Sequence, residues 1–293
     1  MMLGIRLPAL RDRLMGYAFV APALLLLLAV LAYPAGRSLR LSLSSGVRGS
    51  SGYSLVQYAE LLRSDVFRQV LQNTALFVAA SVALHLALGL ALALTLNRPL
   101  FGRAAFRVLA LLPWVVPDVV AGIVWKWILN PLYGLMNDLL FRAGLIAAPV
   151  EWLTAPGLVL PSVVLANVWR GFPFVMIILL AGLQSIPVEL YEAAAIDGAG
   201  TVQRFRHVTL PGLRKVLIVA LALDTIWEVR RFGLIQAMTA GGPGIMSEVL
   251  STQVFKQYFQ FFKFEYASAM AIAMTGLLLV VSLPYVRMIV RQE

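Results

Sequence analysis

Cysteine is absent from the 293-residue chain, and charge is scarce: only 13% of residues are Asp, Glu, Lys or Arg. Without cysteine there is no disulfide framework and no cysteine-ligated zinc or iron–sulfur site. The low charge and high apolar content exclude a disordered chain and lie far from an ordinary soluble globule, about a quarter of which is charged. Histidine is limited to His85 and His207, and neither sits in a His-Glu-x-x-His pair of the kind an intramembrane metalloprotease needs. A Gly-x-Ser-x-Gly elbow for serine hydrolysis is missing too. None of the lysines (Lys126, Lys215, Lys256, Lys263) follows a glycine, so there is no Gly-x-x-x-x-Gly-Lys-Ser/Thr loop to cradle a nucleotide phosphate.

What the chain has in quantity is apolar residues, 60% of the total, and a net charge of +10. In a soluble protein that charge points to nucleic acid. In a chain this apolar, basic residues flanking membrane spans account for it, and the bilayer replaces nucleic acid as the expected partner. A crossing helix needs roughly 20 residues. The segments 14–36, 69–97 and 266–286 carry no charge over such lengths. Three more are apolar but interrupted: 108–125 by Asp118, 158–183 by Arg170, and 216–237 by Asp224, Glu228, Arg230 and Arg231. The expected fold is therefore an all-α integral membrane protein with six transmembrane helices. A cleavable signal peptide is the alternative for the first span, but its apolar core is long and ends in Tyr33-Pro34 with no small-x-small site.

Six spans put both ends on one side. With the N-terminus inside, the short inner segments collect Arg6, Arg11, Arg13, Arg98, Arg103, Arg107, Arg204, Arg206, Arg214, Lys215, Arg287 and Arg291. Arg40, Arg48, Arg63 and Arg68 blur this bias, which favours N-in, C-in. Outside, an amphipathic piece at 55–62 is expected to lie on the membrane surface. The run 239–244, Thr-Ala-Gly-Gly-Pro-Gly, is too rich in glycine and proline for any helix and reads as a turn.

The inner segment 184–211 is the most informative. Pro187 suits a helix start, Glu189 and Glu192 suit the N-terminal dipole, and Ala193-Ala194-Ala195 favours helix. Asp197-Gly198 stops it, with glycine free to take a left-handed cap. A second short helix through Val202, Phe205 and Arg206 is expected to close at Leu210-Pro211. The result is a cytoplasmic knob between two spans.

Glu192-Ala193-Ala194, Gly198 and Leu210-Pro211 resemble the EAA loop of bacterial ABC importer permeases. The fuller string EAAAIDGA, with Phe205 and Thr-Leu-Pro after it, is similar to the carbohydrate-uptake branch. So are Ala21-Pro22 and Tyr33-Pro34, Gln72-Asn73-Thr74, Leu112-Pro113-Trp114, Trp169-Arg170-Gly171-Phe172-Pro173-Phe174, and the turn from Thr239 to Pro243. The tail Arg287–Glu293 lacks the Gly-Ala-Val-Lys-Gly-like ending of the second-type half, so the chain resembles the first-type half, as in maltose and glycerol-3-phosphate importers.

The resemblance implies a type I ABC importer permease fold in a bacterial cytoplasmic (inner) membrane. Residues 1–68 would form an N-terminal segment with the first span and outer loop. Residues 69–293 would form the five-span core, with a coupling loop at 184–212. It implies a second homologous permease subunit, a dimer of ABC ATPase subunits, an extracytoplasmic solute-binding protein and a sugar substrate. It implies no cofactor on this chain, ATP and Mg being held by the partner ATPases. Glu192, Ala193, Ala194, Asp197 and Gly198 would couple to the ATPase, Glu192 pairing with a basic residue in its cleft. Gly241, Gly242 and Pro243 either touch the binding protein or form a structural turn.

Charges inside spans are expensive and functional by default. Taken along straight helices, Asp118, Arg170 and Asp224 fall near mid-depth, with His85 at a similar level. Asn167 and Arg170 share a face, and Asp224, Glu228 and Arg231 follow one stripe beside Trp227. Asn167, Arg170, Asp118, Asp224, Trp227, Glu228 and Arg231 are therefore candidates for the substrate pathway. Two plainer readings stand beside this one: the acids neutralise Arg170 and Arg231, and His85 is a lone hydrogen-bonded histidine. The Arg230-Arg231 pair hints at an anionic polyol such as glycerol phosphate. A proton-coupled secondary transporter relaying through His85 and Asp118 is the alternative of a different class, though the chain shows none of the internal repeats usual there.

Overall fold

The computed structural model describes residues 8–45 and 52–290, with side chains for 15–45 and 52–288. Arg6, Arg48 and Arg291, used for orientation, lie outside the described residues, as do the side chains of Arg11 and Arg13. Among the described residues there is no strand, only an isolated antiparallel bridge between Ser44 and Tyr53.

The first rod is α1 (Pro8–Leu27) and α2 (Tyr33–Ser42), joined through a π-helical turn at Leu28–Ala32. A short surface helix, α3 (Val56–Arg63), precedes the long α4 (Asp65–Leu96). Ser64 caps α4 by accepting from the Phe67 N–H at 3.2 Å, and Asp65 follows in the first turn, where its charge suits the dipole. The buried residues of α4 (Val70, Asn73, Thr74, Phe77, Ser81, His85, Gly89, Ala93, Leu96) recur every three or four positions, a single face. That face packs on α8 (Val159–Gln184), the most buried span. In lipid, helices gain little from hiding apolar surface and associate through close packing. Gly89 permits it: a Cβ there would press to 3.0 Å on the Met176 backbone.

Among the described residues, four helices are long and apolar enough to cross: Met15–Ser42, Asp65–Leu96, Val159–Gln184 and Phe264–Met288. The expected third span is a bent pair instead. α5 (Arg103–Val115) and α6 (Asp118–Ile128) meet at 96°. Pro117 forces this, since the residue before proline is driven out of the helical region, and Val116 is extended at ψ 127°. Asp118 is thus the first residue of a new helix, not a mid-helix charge. A peripheral helix, α7 (Leu135–Arg142), leads on to α8.

The expected fifth span is also interrupted. After α9 (Val188–Ile196) and α10 (Thr201–Arg204), a π turn at Phe205–Thr209 runs straight into α11 (Leu210–Val229). Leu210-Pro211 does not close the inner helix as anticipated. Pro211 falls in the first turn of α11, where its missing N–H is tolerated, and the π turn just before it relaxes the hydrogen-bond ladder. The chain then leaves helix at Arg230–Phe232 and resumes as α12 (Gly233–Met238). Gly233 lets α12 close on Asp118, and Gly122 does the same opposite Leu234 and Ala237. Arg231 therefore does not continue the Asp224–Glu228 stripe; it turns back from a break. Last come α13 (Leu250–Phe255), a π turn at Lys256–Gln260, and α14 (Phe264–Val290), against which α2 packs. In place of the six spans anticipated, the described residues thus give four long apolar helices, one bent pair, and α11, a 20-residue helix carrying Arg214, Lys215, Asp224 and Glu228.

Two apolar clusters set the stage for the site. One joins Phe77, Trp125, Val163, Val168 and Leu234. The other joins Ala93, Leu96, Val175, Leu179, Leu183 and Leu213. Along α4, α8 and α11 a layer of polar side chains lies between them.

Candidate functional site

That layer is one connected network. His85 of α4 is fully buried, with Nδ1 at 3.0 and 3.1 Å from the two Asp224 oxygens and Nε2 at 3.2 Å from the Asn167 carbonyl oxygen. Gly171, one turn from Asn167, makes room for the ring: a Cβ there would overlap it. Asn167 donates through Nδ2 to Ser81 Oγ at 3.0 Å and to Glu228 at 2.6 Å, which fixes the orientation of its amide. Glu228 also accepts from Arg231. Arg231 donates onward to Asp118 at 3.0 Å, and Arg170 lies 2.7 Å from the same Asp118 oxygen. The single Nε–H of Arg170 is donated at 3.1 Å to the carbonyl of Val116, the group the bend at Pro117 releases from the helix ladder, so its contact with Asp118 is an ion pair. Both arginines therefore staple the two helix breaks, Val116–Pro117 and Arg230–Phe232, to the rigid α8 and α11.

Burial makes these bonds obligatory. Asn167, Asp224 and Glu228 are at most 3% exposed, and an unpaired charge at such depth is far more costly than a paired one. The side chains open only on one flank, where Asp118 is 30% exposed, Arg170 16% and Arg231 10%. There a cavity of about 410 Å³ is lined by Arg170, Asp224 and Arg231 and by the rings of Trp114, Phe174 and Trp227. The Phe174 ring centre lies 4.4 Å from that of Trp227 and 6.1 Å from that of Trp114. Aromatic faces beside paired ions suit a solute with an apolar ring face and hydrogen-bonding edges.

All seven candidates for the substrate pathway thus converge: Asn167, Asp118 and Glu228 within the network, and Arg170, Asp224, Arg231 and Trp227 in the cavity wall as well. The plainer pairings hold too, since Asp118 meets Arg170 and Glu228 meets Arg231, but Asp224 pairs with His85 rather than with an arginine. His85, Asp224 and Glu228 also bring ligand atoms within 4.8 Å of one another, a cation-site spacing. Each of those carboxylates already accepts from His85, Asn167 or Arg231. The sequence undervalued three residues. His85 lies on the buried α4 stripe between Ser81 and Gly89, a placement that would have marked it as an inward-facing partner. Trp114 and Phe174 sit in the Leu-Pro-Trp and Phe-Pro-Phe strings already noted.

The coupling candidates lie at the other end. Glu192, Ala193 and Ala194 are on α9, which has no buried residue. Asp197 is its C-cap, and Gly198 takes the left-handed conformation at φ +80°. The Ala199 and Gly198 N–H groups donate to the Ala194 and Ala195 carbonyls at 2.8 and 3.1 Å, a Schellman closure. Tyr191 and Thr209 hydroxyls meet at 3.0 Å, and Ile186 packs on Gly212, so α9 is clamped to the base of α11.

The glycine-rich turn is tied down from beneath. Asn73 of α4 donates to the carbonyls of Ile245 and Glu248 at 2.9 and 3.1 Å, and the fully buried Glu248 pairs with Lys256. Gly241 is buried against the Glu248 carboxylate with no room for a Cβ, while Gly242 and Pro243 are half-buried and Gly244 is exposed.

Comparison with known proteins agrees with this architecture. The family model for "Binding-protein-dependent transport system inner membrane component" matches residues 85–292. The trehalose/maltose transport system permease protein of Thermococcus litoralis is 37% identical over 85% of this chain and 84% of its own length. The sulfoquinovosyl glycerol transport system permease protein of Agrobacterium fabrum is 34% identical over 96% and 92%. A crystal structure of a bacterial ABC transporter for import of the acidic polysaccharide alginate contains a chain of the same fold, at TM-score 0.83 and 24% identity, covering 97% of this chain and 98% of that one. The chain belongs to the inner membrane components of binding-protein-dependent transport systems, as a multi-pass ABC transporter permease.

Proposed function

We propose that this chain is one of the two permease halves of an ATP-driven importer that moves a sugar or related polyol across the membrane by alternating access. The observation that carries the reading is α9. It is tied to the base of α11 through Tyr191 and Ile186, yet none of the described residues covers its apolar side chains: Val188, Leu190 and Ile196 are 59%, 52% and 87% exposed. A short helix held at its base and left uncovered on its apolar and acidic groups fits a cleft on another protein. That protein is an ATPase subunit of a dimer holding ATP and Mg, with Glu192 paired to a basic side chain in the cleft.

Because α10, the π turn and α11 form one helical path, displacement of α9 moves α11, which carries Asp224 and Glu228. Movement there acts on the arginine staples at both helix breaks. The second permease half supplies the opposing wall of the cavity. The extracytoplasmic binding protein docks at the outer turn, on Gly242, Pro243 and Gly244, with Gly241 supporting it from below. Both termini and α9 then face the cytoplasm. The sugars named for two relatives, and the stacked rings of the cavity, support a carbohydrate substrate.

The test is reconstitution with the ATPase dimer, the second permease and the binding protein in vesicles. ATP-dependent uptake and binding-protein-stimulated hydrolysis are expected. Glu192→Ala should leave folding and yield intact and lower stimulated hydrolysis at least about tenfold, the loss of a charge-assisted pair. Unchanged transport by that variant would sink the coupling role, and uptake by the purified chain alone on a proton gradient would overturn the importer reading.

A further inference from the structure

The two arginines in the cavity wall invite an anionic substrate, but the hydrogen-bonding partners in and around the wall argue otherwise. His85 Nε2 faces a backbone carbonyl, which can only accept, so Nε2 carries a hydrogen. Nδ1 faces both oxygens of Asp224, and a contact between two acceptors is repulsive, so a second hydrogen lies between ring and carboxyl. Whichever partner holds it, the His85–Asp224 pair is neutral as a unit. Among the described residues, Glu228 accepts from Arg231 and Asn167, and Asp118 accepts from Arg231 and is ion-paired with Arg170. Two carboxylates then balance two guanidinium groups. Arg230 is exposed and lies outside the cavity lining.

From this balance we infer that the cavity wall is electrically neutral and selects an uncharged sugar over a uronate or a sugar phosphate, with Asp118 as the specificity-determining charge and His85 as the residue that neutralises and positions Asp224. The inference rests on the importer reading and fixes its substrate class. Asp224 takes its proton with it through His85, so the acid whose removal unbalances the wall is Asp118, shared by both arginines. An anion arriving at the wall would have to break an Asp118 pair to find a free guanidinium, whereas a sugar ring stacks on Trp227 and Trp114 and uses the remaining hydrogen-bonding capacity as it stands.

The assembled permease–ATPase complex, without binding protein, is titrated with maltose, trehalose, glucuronate and glycerol 3-phosphate. Quenching of tryptophan fluorescence reports occupancy beside Trp114 and Trp227. Binding of the neutral sugars at concentrations at least about tenfold below those for the anions is expected, since an anion would give up its hydration at a neutral wall without gaining a free counter-charge. Asp118→Asn should raise the anion-to-neutral affinity ratio about tenfold or more. Asp224→Asn should leave that ratio unchanged, because the shared proton is lost together with the charge. Preferential binding of glucuronate or glycerol 3-phosphate by the unmodified complex overturns the inference. So does an equal ratio change in both variants, which would mean that Asp224 stands as an uncompensated anion. Binding of no solute also overturns it, by removing the cavity as a substrate site. In that event ATP-driven uptake in vesicles, measured with the binding protein present, still decides the importer reading separately.

Discussion

The centre of the membrane domain and its α9 end solve opposite problems. In the centre, eight polar side chains from α4, α6, α8, α11 and the break after α11 lie between two apolar clusters, and nearly every polar atom finds its partner within the chain. On α9 the apolar and acidic groups are left open. The first region is self-sufficient and so has a definite charge and shape. The second is left uncovered by the described residues, as the proposed docking on an ATPase subunit requires. Substitutions should therefore cost stability in the first region and communication in the second.

The largest expected effect comes from breaking the centre at Glu228. Glu228→Ala leaves Arg231 and Asn167 without their shared acceptor in a buried layer, and removal of one member of such a pair costs about 3–5 kcal/mol. A steep drop in the thermal midpoint of the purified complex, with loss of folded material in membranes, is the expected outcome. A midpoint within a degree or two of the parent would mean that the network does not hold the centre together.

Next in size is Gly171→Ala. The added methyl group overlaps the His85 ring, so either α8 moves away from α4 or His85 leaves Asp224. Overpacking of this kind costs about 1–3 kcal/mol. The informative measurement is the double variant with His85→Ala, which removes the overlapped ring. If the strain is local, the double variant should recover the part of the midpoint lost to overlap, and the two effects should be clearly non-additive.

How far the sequence reached can be judged from particular residues. The uncharged runs of α1–α2, α4 and α14 were legible because lipid demands long apolar helices and little else produces them. The stop at Asp197-Gly198 was legible because a left-handed cap depends on local chemistry. The break at Val116-Pro117 was visible as a proline but not as a 96° bend, since the angle depends on what receives the freed carbonyl, and that is Arg170, 54 residues away. The break at Arg230–Phe232 had no local signal. It follows from the fit of Gly233 and Gly122 between α12 and α6, a tertiary property. For the same reason the pairing of the candidate charges, which lie together in the structure, was not legible: His85 and Asp224 are 139 residues apart, and no spacing rule connects them.

The smallest effect should separate the two regions most cleanly. Tyr191→Phe deletes one hydroxyl, the one that meets Thr209 and ties α9 to the π turn below α11. A single neutral hydrogen bond of this kind contributes about 0.5–1.5 kcal/mol, and the aromatic packing is kept, so folding and the affinity of the central cavity for maltose should be unchanged. What should fall, several-fold, is the stimulation of hydrolysis by the binding protein, because α9 would still dock on the ATPase but pull less firmly on α11. Basal hydrolysis should stay constant. If stimulation is fully retained, force passes from α9 to the spans by another route, through Ile186 on Gly212 at the foot of α11. Gly212→Ala, which pushes on that contact instead, then becomes the substitution that uncouples the two regions.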